Sequence, residues 1–262
     1  MLPHTSAIDV VPLWAVFVGS VVSIIVAVEL GYRLGRWRHR RAEHETEGAV
    51  GGMVAAELGL LAFMLAITFS LAANRFDDRR TIVLDESNAI GTCYLRAAML
   101  PPDHRDAVRR SLREYVDVRL GAMNGGAIQE AANRSEALHT VLWNYATAAA
   151  EKDPHSVQVG LFVQSLNDVI DLHAKRLQAG LRSRLPFTIW VALFAISGLS
   201  FTAMGYHEGL SGKCRSPAII AVVLGFAIVI WLVADLERPH QGMLRVSQQP
   251  MVDLQKSMET GP

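Results

Sequence analysis

Cysteine is scarce in this 262-residue chain, and the short motifs of the common enzyme classes are missing from it. The two cysteines, Cys93 and Cys214, form no C-x-x-C pair, so we expect free thiols rather than a disulfide or a thiolate metal site. The nine histidines show no H-E-x-x-H spacing, and no P-loop, G-x-G-x-x-G or G-x-S-x-G occurs. The sequence therefore predicts a protein that is not an enzyme and uses no metal or cofactor.

Charge of one sign is not in excess either, because 25 basic and 25 acidic residues give a formal net charge of zero. A chain without a global positive field offers no electrostatic argument for a nucleic-acid partner. Charged residues make up only 19% of the chain, whereas apolar residues make up 51% and the mean hydropathy is positive. This composition disfavours a soluble single domain and favours a membrane protein whose partner is the lipid bilayer.

The apolar residues are concentrated in four windows, each close to the roughly 20 residues that cross a bilayer as a helix. No convincing period-2 strand pattern occurs anywhere, so we predict an all-α protein with four transmembrane helices. The first two spans lie within residues 1–73, at about 10–30 and 53–73, and the last two lie within 185–236, at about 185–206 and 216–236. The sequence predicts a helical extramembrane domain at 74–184 and a polar, flexible tail at 237–262.

Within the predicted extramembrane domain, proline and glycine mark the boundaries between helices. The pair Pro101-Pro102 is expected to end the first helix, since proline disfavours a helical conformation in the residue before it. A looser hinge is predicted from Gly121 to Asn133, and the next helix is predicted to begin at a Ser135 cap.

Residues Met53 to Ala98 form one run without proline, in which an apolar segment continues directly into a charged one. As a single helix this run measures roughly 70 Å, more than twice the thickness of a hydrocarbon core. Small side chains recur along its membrane part at intervals of three or four, which permits close helix packing in lipid. This stripe consists of Gly59, Ala62, Ala66, Ser70 and Ala73. Packing against helices of the same subunit is the simpler interpretation of the stripe.

The same run carries a family resemblance. Leu61-Ala62-Phe63 and the stretch Ala72–Arg80 resemble the signature at the end of the second membrane helix of bestrophins. The following D-E-S-N-A-I-G-T-x-Y-L-R (Asp85–Arg96), then L-P-P, and the block L-R-E-Y-V-D-x-R (Leu112–Arg119) are similar to the bacterial bestrophin-like family, a domain family of unknown function. The resemblance covers most of the chain from Gly48 to about Tyr115.

The resemblance implies an oligomer, a ring of five subunits, that conducts inorganic anions such as chloride. It also implies that the second span of each subunit lines a narrow neck. The residues that match the neck positions are Gly59, Phe63 and Ile67, and a ring of such apolar side chains can gate a pore by dewetting.

Charged residues on the second helix provide further candidates. Glu57 is the acidic residue well inside the span, where burial of a carboxylate is expensive, so it is either functional or close enough to the interface to reach water. A charged collar follows the span and would surround the vestibule of a pore, unless it is simply a solvated helix with internal salt bridges. The collar consists of Arg75, Asp78, Arg79, Arg80, Asp85 and Glu86.

Two interpretations of the function stay open at this point. The chain is either an oligomeric channel or a membrane-anchored scaffold or sensor whose helical domain binds a protein partner. A secondary transporter is less consistent with the chain because no interrupted helices or internal repeat occur.

The orientation in the membrane has two opposing indications. The resemblance implies that the helical domain is cytoplasmic in a cell-membrane protein. The dense arginine cluster at Arg33–Arg41, in a short loop, argues for the opposite orientation.

Overall fold

The computed structural model describes residues 11–41, 47–123, 128–182, 184–211, 217–238 and 242–260. Within these ranges the chain forms eight α-helices and no strand, which confirms the all-α prediction. The helices are α1 (Leu13–Arg40), α2 (Glu47–Arg96), α3 (Pro102–Met123), α4 (Ile128–Lys152), α5 (Val157–Leu177), α6 (Phe187–Leu210), α7 (Ala218–Leu236) and α8 (Gln249–Thr260). A 3₁₀ turn at Ala97–Met99 follows α2, and a π-helical segment at Gln178–Arg182 follows α5.

Four of these helices are long and apolar enough to cross a membrane, namely α1, α2, α6 and α7. Their positions agree with the four predicted spans, and the chain is a multipass membrane protein. The first helix continues beyond its apolar window to Arg40, so the arginine-rich segment after the first span is helical. The second helix has 50 residues without interruption, which corresponds to about 75 Å at 1.5 Å per residue.

The chain divides into two compact units, which we call the membrane unit and the helical domain. The membrane unit consists of Met1–Phe76 and Arg184–Leu244, and the helical domain consists of Asp77–Ser183 and Arg245–Pro262. The apolar half of α2 belongs to the first unit and its charged half belongs to the second.

In the membrane unit, glycines allow α1 and α6 to approach closely. Gly31 and Gly35 on α1 and Gly205 and Gly209 on α6 each form a G-x-x-x-G pair. A Cβ atom added at any of the four would overlap a backbone oxygen of the opposite helix. Only hydrogen fits at these positions, as in other closely packed membrane helices.

The helical domain has its own apolar core between α3, α4, α5 and the charged half of α2. Tyr115, Phe162 and Leu142 are fully buried in it. The fourth helix begins at Ile128 rather than at Ser135, so the predicted cap is wrong. Of the predicted hinge, residues 121–123 and 128–133 are helical, and 124–127 lie outside the described residues. Ser135 is buried within the helix, where its hydroxyl donates to the carbonyl of Ala131 at 2.7 Å.

The prediction of a flexible tail at 237–262 is wrong for residues 249–260, which form α8 and pack onto the helical domain. Met251 and Met258 are buried in the domain core. The hydroxyl of Ser87 on α2 donates to the carbonyl of Pro250 at 2.9 Å. The two methionines are seven residues apart, so they share one face of a short helix whose other residues are mostly polar.

Candidate functional site

The membrane half of α2 has two different faces. Leu61, Leu65 and Ala72 are buried against the other helices of the membrane unit. Phe63 is 62% exposed and Ile67 is 42% exposed, and Gly59 is exposed beside them. Because these three follow each other at four-residue intervals, they form one apolar line directed away from the core of their own subunit.

The small-residue stripe also faces outward within the single chain. Gly59, Ala62, Ala66 and Ser70 are exposed, and Ala73 is half-buried. Ala62 and Ala66 border an apolar groove of about 560 Å³ between α2 and α7, together with Phe69 and Phe226. The stripe is therefore largely unoccupied by helices of the same subunit, and a second copy or lipid is left to cover it.

Glu57 is half-buried near the beginning of the second span. Its backbone carbonyl accepts a hydrogen bond from the hydroxyl of Ser200 on α6 at 3.4 Å. A functional role for its carboxylate stays a prediction.

The residues of the predicted collar do not share one environment. Asp78, Arg80 and Asp85 are exposed, whereas Arg79 is buried. In the membrane unit, Nη1 of Arg75 lies 3.3 Å from Oε1 of Glu237, the residue that follows α7. A vestibule collar stays a prediction for the exposed members, whereas Arg75 is paired with an acidic residue.

Glu86 departs from the expected collar because its carboxylate is fully buried in the helical domain. It forms ion pairs with Arg176 on α5 and with Arg119 on α3, whose Nε is 3.4 Å from Oε1. The hydroxyl of Tyr115 donates to the same Oε1 at 2.9 Å. A carboxylate held in this way cannot contribute to a solvent-facing ring of charge.

Two histidines complete what we call the Glu86 cluster, which comprises Glu86, Tyr115, Arg119, His139, His173, Arg176 and Gln248. Nδ1 of His173 is 3.2 Å from the hydroxyl oxygen of Tyr115. Because the single hydroxyl proton of Tyr115 goes to Glu86, Nδ1 of His173 is the donor in this contact. The ring of His139 on α4 packs edge-to-face on His173 with centroids 4.9 Å apart, and Gln248 accepts from Arg176 at 3.0 Å.

The electrostatics of the cluster follow from burial and from its two arginines. Burial alone would raise the pKa of Glu86, but the guanidinium groups of Arg176 and Arg119 outweigh it and hold the pKa below its ordinary value. Burial lowers the pKa of both His139 and His173 to about 4, so both rings are neutral at pH 7. The cluster thus holds one carboxylate between two guanidiniums and joins α2, α3, α4, α5 and the segment before α8.

The described residues bear on two other kinds of site, a metal site and a reactive thiol. These residues contain no group of three or more histidine, cysteine or acidic side chains placed to hold a metal ion. Cys93 is buried, and burial raises its pKa to about 12, so its thiol is protonated at neutral pH. Cys214 lies outside the described residues.

Sequence reasoning missed most of the Glu86 cluster, although two signals were present. Arg119 is the last residue of the L-R-E-Y-V-D-x-R block, and His173 is a polar residue on the apolar face of α5. Arg176 gave no signal, because a basic residue in the last turn of a helix is common. The two G-x-x-x-G pairs were also missed, although this spacing is typical of packed membrane helices.

These elements define an all-helical, four-span membrane protein with an inserted helical domain. The chain belongs to the bestrophin-like family, since a model of the Bestrophin-like domain matches residues 14–251. A search of curated proteins gave no significant match.

Solved structures share the fold. A variant of a bacterial bestrophin homologue from Klebsiella pneumoniae has a TM-score of 0.71 at 12% identity, and the match covers 94% of this chain and 98% of that chain. A second variant gives 0.68 at 13% identity, covering 93% and 98%. The homologue solved by zinc phasing gives 0.63 at 16% identity, covering 92% and 98%.

Proposed function

We propose that this protein assembles into a ring of identical subunits, five by the family resemblance, and conducts inorganic anions across the cell membrane. The observation that supports this most is the apolar line of Gly59, Phe63 and Ile67. These residues face away from their own subunit on a helix that continues from the membrane into the helical domain. When copies of α2 surround an axis, such a line forms an apolar neck that can gate by dewetting.

The outward-facing small-residue stripe also supports the assembly of several subunits. Exposed Ala62, Ala66 and Ser70 let a neighbouring helix approach closely, since they present little side chain. The exposed charges of Asp78, Arg80 and Asp85 then repeat around the axis after the neck.

The resemblance also implies that the helical domain is cytoplasmic. A cysteine introduced at Asn144, an exposed residue of this domain, tests the orientation in a Cys214→Ser background. In intact cells, an impermeant thiol reagent is expected not to label it.

Purified protein in planar bilayers under a chloride gradient is expected to give single-channel currents that reverse towards the chloride equilibrium potential. Phe63→Ala removes the largest side chain of the proposed neck and lowers its dewetting barrier, so the conductance should rise by more than about twofold. Phe187→Ala is the matched control. It removes the same ring from a 70% exposed position at the beginning of α6, away from the proposed neck and from the small-residue stripe.

The comparison of the two variants separates a neck from a general weakening of the membrane unit. Currents changed in Phe63→Ala and unchanged in Phe187→Ala support the neck. An absence of current in wild-type protein, or equal changes in both variants, contradicts it.

A further inference from the structure

The end of α1 that follows its apolar window carries aromatic and basic side chains on the surface of the membrane unit. Arg33 has a 76% exposed side chain, and Trp37 is 51% exposed. Six residues of this segment surround an open cavity of about 410 Å³. They are Glu29, Tyr32, Arg33, Arg36, Trp37 and Arg40.

Neighbouring side chains hold several of the arginines in place. Nε of Arg33 is 2.7 Å from Oε1 of Glu29, and Nη1 of Arg36 donates to the hydroxyl of Tyr32 at 3.2 Å. The guanidinium of Arg41 lies 3.9 Å from the centroid of the Trp37 ring, within cation–π range. The cavity is lined by three arginines, Arg33, Arg36 and Arg40, and by one acid, Glu29, so it has an excess of positive charge.

An apolar groove lies along α1, on the helical turns just before this cavity. It has a volume of about 510 Å³ and runs between α1 and α6. Val26 and Leu30 border it on α1, and Phe194, Gly198 and Leu199 border it on α6. Val26, Leu30, Arg33 and Trp37 are separated by four, three and four residues, so the groove and the cavity share one face of α1.

We propose that this face of α1 binds an anionic phospholipid, with its phosphate in the arginine cavity and an acyl chain in the apolar groove. Guanidinium groups match phosphate oxygens in charge and geometry, and tryptophan is favoured at the level of the lipid headgroups. A zwitterionic lipid places its own ammonium group among the arginines, whereas an anionic glycerol headgroup does not. The adjoining acyl groove favours a lipid over a soluble anion or an acidic peptide.

Native mass spectrometry of the whole protein tests the proposal, after equilibration in micelles that contain phosphatidylglycerol or phosphatidylcholine. Wild-type protein is expected to retain phosphatidylglycerol in preference to phosphatidylcholine. The variant Arg33→Gln, Arg36→Gln, Arg40→Gln should lose roughly fivefold in affinity per arginine, because each basic residue near an anionic surface contributes about 1 kcal/mol. Its control changes three arginines of the helical domain by the same charge, Arg105→Gln, Arg110→Gln and Arg134→Gln.

Gly198→Leu tests the groove separately, since a Cβ atom at Gly198 meets nothing within 4 Å and the added side chain occupies the groove rather than the packed interface. Reduced retention of phosphatidylglycerol in both the cavity variant and Gly198→Leu, with normal retention in the control, supports the proposal. Equal retention of the two lipids, unchanged retention in either variant, or displacement of the lipid by millimolar glycerol 1-phosphate overturns it.

Discussion

Replacing Glu86 by glutamine is expected to destabilise the helical domain by about 3–5 kcal/mol, the usual cost of removing one partner from a buried ion pair. The substitution keeps the shape of the side chain but leaves the guanidiniums of Arg119 and Arg176 without their common counter-ion. Both arginine side chains are at most 13% exposed, so water compensates for little of the loss. The midpoint of thermal unfolding in detergent should fall by roughly 10 °C.

The adjacent substitution Asp85→Asn is the control, because it removes the same charge from an exposed neighbour on the same helix. We expect it to change stability by less than about 0.5 kcal/mol.

The difference in the free energy of unfolding between wild type and Glu86→Gln should also depend on pH. Because the folded-state pKa of Glu86 lies below its unfolded value of 4.5, its contribution is complete above about pH 4.5 and is lost as the pH falls through the folded-state pKa.

A stability of Glu86→Gln close to that of Asp85→Asn contradicts the importance of the Glu86 cluster. If wild type remains more stable than Glu86→Gln at pH values below the folded-state pKa of Glu86, the stabilisation by Glu86 is not electrostatic in origin.

The combined change of Gly205 and Gly209 to alanine is expected to separate α1 from α6. The added Cβ atoms overlap the backbone carbonyl oxygens of Val28 and Tyr32, and a helix backbone cannot move aside as a flexible side chain does. Overpacking of this kind costs about 1–3 kcal/mol per site or more. The measurement is the thermal unfolding midpoint of purified protein in detergent, followed by the circular dichroism of its helices.

Gly198→Ala on the same helix provides a control with an effect of opposite sign. Its Cβ atom meets nothing within 4 Å. Alanine also favours a helix over glycine by about 0.5–1 kcal/mol. We therefore expect a small stabilisation from Gly198→Ala and a large loss from the double variant. The same direction of change in both proteins contradicts the close packing described for α1 and α6.

The membrane architecture could be predicted from sequence because a bilayer imposes a length of about 20 apolar residues on any spanning helix. The continuity of α2 was predictable for a similarly local reason, since no proline interrupts Met53–Ala98. The position of α8 was less evident. Its two buried methionines are separated by polar residues, and a short amphipathic pattern in a polar tail gives a weak signal without its docking surface.

The Glu86 cluster was not predictable from local patterns, because it unites residues up to 162 positions apart in the sequence, from Glu86 to Gln248. Glu86 itself looked like its exposed neighbour Asp85 on the charged half of α2. Only the packing of α3 and α5 against α2 distinguishes the two carboxylates. The outward direction of Phe63 likewise depended on knowing which face of α2 the other membrane helices cover.

The native mass of the protein in mild detergent tests the central proposal most directly, because an apolar neck exists only where several copies of α2 surround one axis. The proposal predicts a complex of about five times the 28.7 kDa subunit. A monomer or dimer as the largest species, in detergent that preserves the fold, would contradict the ring and favour a membrane-anchored scaffold.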